Sequence, residues 1–270
     1  MEYVLLLLTG IVAGSMGSLI GLGGGIITVP VLLFFNEAGW FPQPLEHQQI
    51  VALSLMAIIF TSTAATLTNY KHKRIDIKSG LIFFAGAGPA VILGAFIGGY
   101  VSSGIFYVLF GALMLFTTYV LAVRDRIKPL DVKSNISCTF TLQGVEHKYS
   151  FNSYIGMGIS AFAGFIAGLF GIGGGSIYVP MMIVFFKFPA HVATATSMFI
   201  ILLTSVIGSI SHIFLGNVIW AYVLVIGIGA YLGGAIGPTL AAHLSSKTLV
   251  SILRIVIVLV AIQLIYKGIF

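Results

Sequence analysis

The sequence predicts an all-α polytopic membrane protein built from two inverted repeats. Each repeat has four long spans plus one short, glycine-preceded half-helix, about 8–10 crossings in all. Three observations predict this. First, 59% of the 270 residues are hydrophobic and only 7% are charged, against about a quarter charged in a soluble domain; 13 Lys and Arg with 7 Asp and Glu cannot coat a water-soluble fold of this length. Second, the apolar stretches run to about 20 residues, the length that crosses a hydrocarbon core of about 30 Å. Third, a glycine-rich pattern occurs twice, 150 positions apart.

The first span covers about residues 3–20 and runs into Gly21-Leu22-Gly23-Gly24-Gly25. A shorter apolar stretch over about 26–36 follows. At about 1.5 Å per residue it reaches about half-way across the bilayer, as a half-helix or a short protein-buried crossing. Long spans near 49–70, 79–100 and 104–123 complete a first transmembrane repeat over residues 1–123. Residues 124–153 are the one long polar segment. There Cys138, Phe140 and Leu142 alternate with polar neighbours before Gln143-Gly144, and Val145, His147, Tyr149 and Phe151 alternate after it, the pattern of a cytoplasmic linker folded as a β-hairpin. The second repeat, 154–270, has spans near 154–170, 190–214, 218–241 and 247–267 and a short stretch near 176–187.

The duplication is visible in residues. Gly21-Leu22-Gly23-Gly24-Gly25 with Val29-Pro30 returns as Gly171-Ile172-Gly173-Gly174-Gly175 with Val179-Pro180. Ser54 and Thr61-Ser62 are echoed 143 positions later by Ser197 and Thr204-Ser205, and Leu93-Gly94 with Gly98 by Leu232-Gly233 with Gly237. Pro30 and Pro180 are expected to kink or end the short helices.

Charge sets the orientation. The clusters Lys71-His72-Lys73-Arg74 with Lys78 and Arg124-Asp125-Arg126-Ile127-Lys128 are separated by two spans and read as cytoplasmic. The turn at Val101-Ser102-Ser103-Gly104 is uncharged, and 36–47 carries Glu37 and Glu46 without Lys or Arg, so both read as external. In the second half the turn near Gly216-Asn217 is uncharged while Lys187 and Lys247 mark cytoplasmic connections. With five crossings per half both termini are external, and 12 of the 13 basic residues are cytoplasmic, Lys267 being the exception. An eight-span arrangement with two re-entrant segments fits the same pattern. This sorting into loops gives no basic face for nucleic acid. Cys138, the single cysteine, excludes a disulfide framework and a multi-cysteine metal site. Met1-Glu2-Tyr3 lacks the basic region of a cleaved signal peptide.

The glycine runs are the candidate site. Glycine lets backbone turn sharply and approach a ligand closely. Each run precedes a short helix whose N-terminus offers unpaired N–H groups and a partial positive charge. Two inverted copies would bring these termini together near the midplane and hold an anion without a buried Lys or Arg. Close helix packing is the competing use of such glycines. The candidate substrate-binding residues are Gly23, Gly24, Gly25, Thr28, Ser54, Gly173, Gly174, Gly175, Ser176, Thr196 and Ser197. Each hydroxyl could instead bond to its own helix. No Asp or Glu falls within an expected span, which disfavours a carboxylate relay. His191 and His212 are expected at the interface, and Arg254 to extend toward the cytoplasmic surface. No metalloprotease, nucleophile-elbow, phosphate-loop or dinucleotide motif is present, so neither an enzyme nor a cofactor is expected.

The doubled GlyXaaGlyGlyGly…ValPro pattern, Ala195-Thr196-Ser197-Met198 and the four-plus-four long spans resemble the sulfite exporter TauE/SafE family, also called the toluene-sulfonate uptake permease superfamily. The resemblance covers nearly the whole chain except the long polar 124–153 segment, and Leu53-Ser54-Leu55 stands where the family pattern has Thr-Ser-Leu. It implies a multi-pass carrier in a prokaryotic cytoplasmic membrane, moving small sulfur-containing anions such as sulfite, sulfonates, sulfoacetate or thiosulfate by alternating access. Partners are then the anion and the lipid bilayer. A coupling proton or cation and a homo-oligomeric state stay open, as do an anion channel and a non-sulfur organic anion.

Overall fold

The computed structural model describes residues 1–123, 134–142, 145–240 and 246–269. The basic run Arg124–Lys128, the Gln143-Gly144 turn and the side chains of Cys138, Lys247 and Arg254 lie outside the described residues. The first half contains α1 (Glu2–Ile20), α2 (Gly25–Glu37), α3 (His47–Lys71), α4 (Ile77–Gly98) and α5 (Ser103–Val123). Strands β1 (Ile136–Leu142) and β2 (Val145–Phe151) follow. The second half contains α6 (Ser153–Phe170), α7 (Gly175–Pro180), α8 (Ala190–Phe214), α9 (Trp220–Leu240) and α10 (Ser246–Ile269). Among the described residues seven helices are long and apolar enough to cross a membrane, and shorter apolar helices cover Gly25–Glu37, Gly175–Phe185 and Ile257–Ile269. The chain is a nearly all-helical, multi-pass membrane protein.

Local chemistry accounts for where the helices start and stop. Gly21, at φ 83°, closes α1 by donating its N–H to Gly17 O, and Gly171, at φ 72°, closes α6 on Ala167 O. Asp76 caps α4 by accepting from Ser79 N at 3.1 Å, and Asn152 caps α6 by accepting from Tyr154 N at 3.1 Å. The two prolines behave differently. Pro30 lies inside α2, which continues to Glu37, so it does not end that helix. At Pro180 the α-helical pattern gives way to a π-helical turn over Met181–Phe185.

The helices have two well-marked ends. At the N-terminal end the Tyr3 and Phe41 rings lie 5.9 and 5.6 Å from Tyr222, and Glu37 pairs with Lys267 at 2.5 Å. α1 and α2 therefore form a re-entrant pair that starts and finishes at this end. At the opposite, hairpin end, the chain returns from α7 so that Phe186 and Phe188 pack on the strands. The chain thus leaves the hairpin through α6 and comes back to it after α7.

Packing follows the duplication. α1 packs on α9 as α6 packs on α4, and α3 on α9 as α8 on α4, while α3 meets α8 and α5 meets α10 across the halves. Lipid supplies no hydrophobic drive for these contacts, so close backbone approach at small residues has to supply it. A Cβ on Gly10 would lie 2.4 Å from Ile226 O in α9, and one on Gly94 would lie 2.1 Å from Phe165 O in α6.

The strands pair antiparallel, Leu142 opposite Val145 and Ile136 opposite Phe151. Tyr149 and Phe151, both buried, attach the hairpin to the helices. The Tyr149 ring lies 4.0 Å from Phe188, and its hydroxyl donates to Asp76 Oδ2 at 2.6 Å. Phe151 lies 5.1 Å from Phe83 and 5.5 Å from Phe186. Tyr149→Phe keeps the ring and removes one bond to a carboxylate, so it should lower stability by about 1.5–3 kcal/mol. A thermal-denaturation midpoint equal to that of the parent protein would show that the rings alone hold the hairpin.

Candidate functional site

The two glycine loops meet in the middle of the helix bundle. Gly24 and Gly174 cap α2 and α7 at φ 95° and 75°, a conformation that a side chain disfavours. Ile27 N and Thr28 N each donate to Gly24 O at 3.0 Å, and Ile177 N and Tyr178 N donate to Gly174 O at 3.0 and 3.2 Å. The N–H groups of Gly25 and Ile26, and of Gly175 and Ser176, come before these first bonds and have no partner within their own helices. Each helix start abuts the loop of the other half: a Cβ on Gly25 would lie 2.4 Å from Gly171 O, and one on Gly175 2.7 Å from Gly21 O.

Two serines fix this meeting reciprocally. Ser54 Oγ donates to Gly171 O at 2.7 Å, and Ser197 Oγ lies 2.9 Å from both Gly21 O and Thr194 O, sharing its proton between the opposite loop and its own helix. Each carbonyl is the one freed at the end of a re-entrant helix, so each half supplies the hydroxyl that satisfies the other. Ser176 Oγ, 3% exposed, has no hydrogen-bond partner among the described residues. Thr28 Oγ1 bonds back to Gly24 O at 3.2 Å, within its own helix.

The structure therefore brings together Gly23, Gly24, Gly25, Gly173, Gly174, Gly175, Ser54, Ser176 and Ser197, with Thr28 beside them and closed on its own turn. Thr196 is not with them. Its Oγ1 accepts from Asp76 N at 3.0 Å, which joins α8 to the start of α4 at the hairpin end. The two loops are covered differently: a Cβ on Gly174 would meet the Tyr178 ring at 2.8 Å, and one on Gly24 would meet Ala13 O at 2.7 Å.

Sequence reasoning missed Ile58 and Ile201. A Cβ on Gly23 would lie 3.0 Å from Ile201 and 3.4 Å from Ile58, and one on Gly173 would lie 3.1 and 3.3 Å from the same two side chains. Both isoleucines are buried, at 1% and 0% exposure, near the midpoints of α3 and α8. They fill the space between the loops. They share the 143-residue offset of Ser54 and Ser197, and that repeat was the signal that could have found them.

No Lys or Arg occurs in residues 1–70, 79–123 or 188–246. Among the described residues no group of His, Cys, Asp and Glu could hold a metal ion. Positive potential at the centre therefore comes from backbone N–H groups and helix dipoles. Of the two histidines expected near the ends of α8, His212 is enclosed by protein and His191 is exposed. A cavity of about 330 Å³ flanks α2 between α5 and α10, its walls mostly apolar, such as Ile27, Phe34, Met114 and Val260, with Gln263 and Glu37 the polar exceptions.

A family model described as sulfite exporter TauE/SafE matches residues 6–264, from α1 through most of α10 and across both loops. The chain is 43% identical to YunE, a probable membrane transporter protein of Bacillus subtilis (strain 168), over 273 residues covering 100% of both chains. It is 28% identical to a probable membrane transporter protein of Methanocaldococcus jannaschii over 216 residues, 77% of this chain and 72% of that one. A probable membrane transporter protein of Sinorhizobium sp. is 26% identical over 254 residues, 94% of this chain and 88% of the relative. No solved structure matches the chain.

Proposed function

The chain belongs to the sulfite exporter TauE/SafE family of membrane transporters, and we propose that it carries a small sulfur-containing anion, of the sulfite, sulfonate or thiosulfate type, by alternating access between two inverted repeats. The observation that carries this reading is the meeting of the two glycine loops. Their free N–H groups, the α2 dipole and the unpartnered Ser176 hydroxyl converge where neither metal nor cation balances a charge. An oxyanion with several acceptor oxygens suits such a set of donors. The oppositely facing re-entrant pairs and the exchangeable packing of the halves support inversion, with one helix group rocking against the other. In this conformation Ile58 and Ile201 close the centre, which suits a carrier that opens to one side at a time. With its basic clusters inside, the protein sits in the cytoplasmic membrane of a prokaryotic cell, both termini external. A proton or cation is the coupling partner such a carrier would use.

Proteoliposomes loaded with unlabelled sulfite, thiosulfate or an organosulfonate and challenged with the radiolabelled anion test this. Saturable counterflow of at least one of these anions is expected. Conduction without exchange would identify a channel. Folded protein that moves none of the sulfur anions overturns the assignment of cargo, and counterflow of a carboxylate in their place would identify a non-sulfur carrier.

A further inference from the structure

A row of polar groups on α8, between Ile201 and the N-terminal end, has no part in the site described above. Buried membrane hydroxyls ordinarily bond back to the carbonyl one turn earlier. Thr9, Thr61, Ser62, Thr68 and Thr204 all do so. Ser205 and Ser209 do not: their hydroxyls are buried, at 0% and 2% exposure, and among the described residues have no hydrogen-bond partner.

His212 is the third member. Asn217 Nδ2 lies 3.1 Å from its Nδ1. An amide nitrogen can only donate, so Nδ1 accepts and the imidazole proton sits on Nε2. Nε2 is buried and has no hydrogen-bond partner among the described residues.

Spacings of four and three place Ser205, Ser209 and His212 on one face of the helix, with Ile201 one turn before Ser205. Gly208 lies on the same face, and a Cβ there would meet Val91 of α4 at 3.0 Å and Leu55 of α3 at 3.1 Å. The row is therefore enclosed by protein. From Ile201 to His212 it spans about 16 Å, at about 1.5 Å per residue.

We propose that this face of α8 is the approach by which a small oxyanion passes between the N-terminal end and the glycine loops, with His212 Nε2–H as the first donor it meets. The proposal rests on the anion-transport reading. Hydroxyls one helical turn apart can take over successive oxygens of the anion as it advances. His212 offers a proton and no acceptor at Nε2, so a bare cation gains nothing there.

Cys138 is the single cysteine, so Cys138→Ser provides a background for single-cysteine accessibility in oriented vesicles. With 2-sulfonatoethyl methanethiosulfonate added at the N-terminal end, Ser205→Cys and Ser209→Cys should react at least about tenfold faster than with the cationic trimethylammonium reagent, a preference worth one hydrogen bond. Ser211→Cys, off this face, should react with neither. His212→Ala should abolish the preference and raise the half-saturation concentration for the transported anion about tenfold with little change in maximal rate. His212→Gln, which restores an N–H, should recover both. Ser209→Ala, the milder change, should raise the half-saturation concentration in the same sense.

Absence of reaction at both 205 and 209, or equal rates for the two reagents, overturns the proposal. Transport of sulfite or thiosulfate with 205 and 209 unreactive overturns the route and leaves the cargo standing. Anion-selective labelling in protein that carries no sulfur anion leaves the route standing and overturns the cargo.

Discussion

Gly25→Val should abolish counterflow, and Gly175→Val should do the same from the other half. The added Cβ at Gly25 would lie 2.4 Å from Gly171 O and 2.6 Å from Ile172 Cα. Both are backbone atoms of the opposing loop, so no rotamer change relieves the clash, and the loops must separate. Overpacking of this kind costs about 1–3 kcal/mol, enough to lower the denaturation midpoint without unfolding the helix bundle. Gly158→Ala is the control, since a Cβ there meets nothing within 4 Å. It should leave transport unchanged and stabilise α6 slightly. Counterflow at the parental rate in folded Gly25→Val would show that the glycine centre takes no part in moving the anion.

Replacing the central isoleucines should have the opposite consequence, turning a carrier into a leak. Ile58→Ala and Ile201→Ala each remove a buried side chain from between the two loops. Each should cost about 2–5 kcal/mol of stability. The double variant should release trapped sulfite from proteoliposomes faster than the parent protein and without saturating as the internal concentration rises. Saturable efflux at the parental rate in the double variant would place the barrier elsewhere.

Much of this arrangement was legible in the chain because repetition in sequence became repetition in space. The 150-residue offset located the loops, and the 143-residue offset located Ser54 and Ser197, whose hydroxyls reach across to Gly171 and Gly21. That the serines bond to carbonyls of the opposite half was not legible, because hydropathy and spacing carry no information on which element lies across the bundle. Thr196, adjacent to Ser197, reads as an equal candidate in sequence. One residue along a helix turns the side chain by about 100°, and Thr196 joins Asp76 instead. Asp76 illustrates a related limit. It is buried, and the hydroxyl that bonds its carboxylate belongs to Tyr149, 73 residues away on the hairpin. The enclosure of His212 was hidden for a similar reason, since its position near a helix end carries no information on the helices that surround it.

The Glu37–Lys267 pair has an electrical consequence. In a membrane held near 100 mV, moving one elementary charge across the full potential takes about 2.3 kcal/mol of work. Lys71, Lys73 and Arg74 cluster at the hairpin end, and their unequal distribution gives the molecule a fixed bearing in that field. Lys267 stands at the opposite end and would by itself oppose that bearing. Held 2.5 Å from Glu37 Oε1 and 5.2 Å from the Tyr107 ring centre, it forms a pair of zero net charge on which the field does no net work. The basic residue that contradicts the charge asymmetry is thus electrically silent, and the voltage acts on the clusters at the other end.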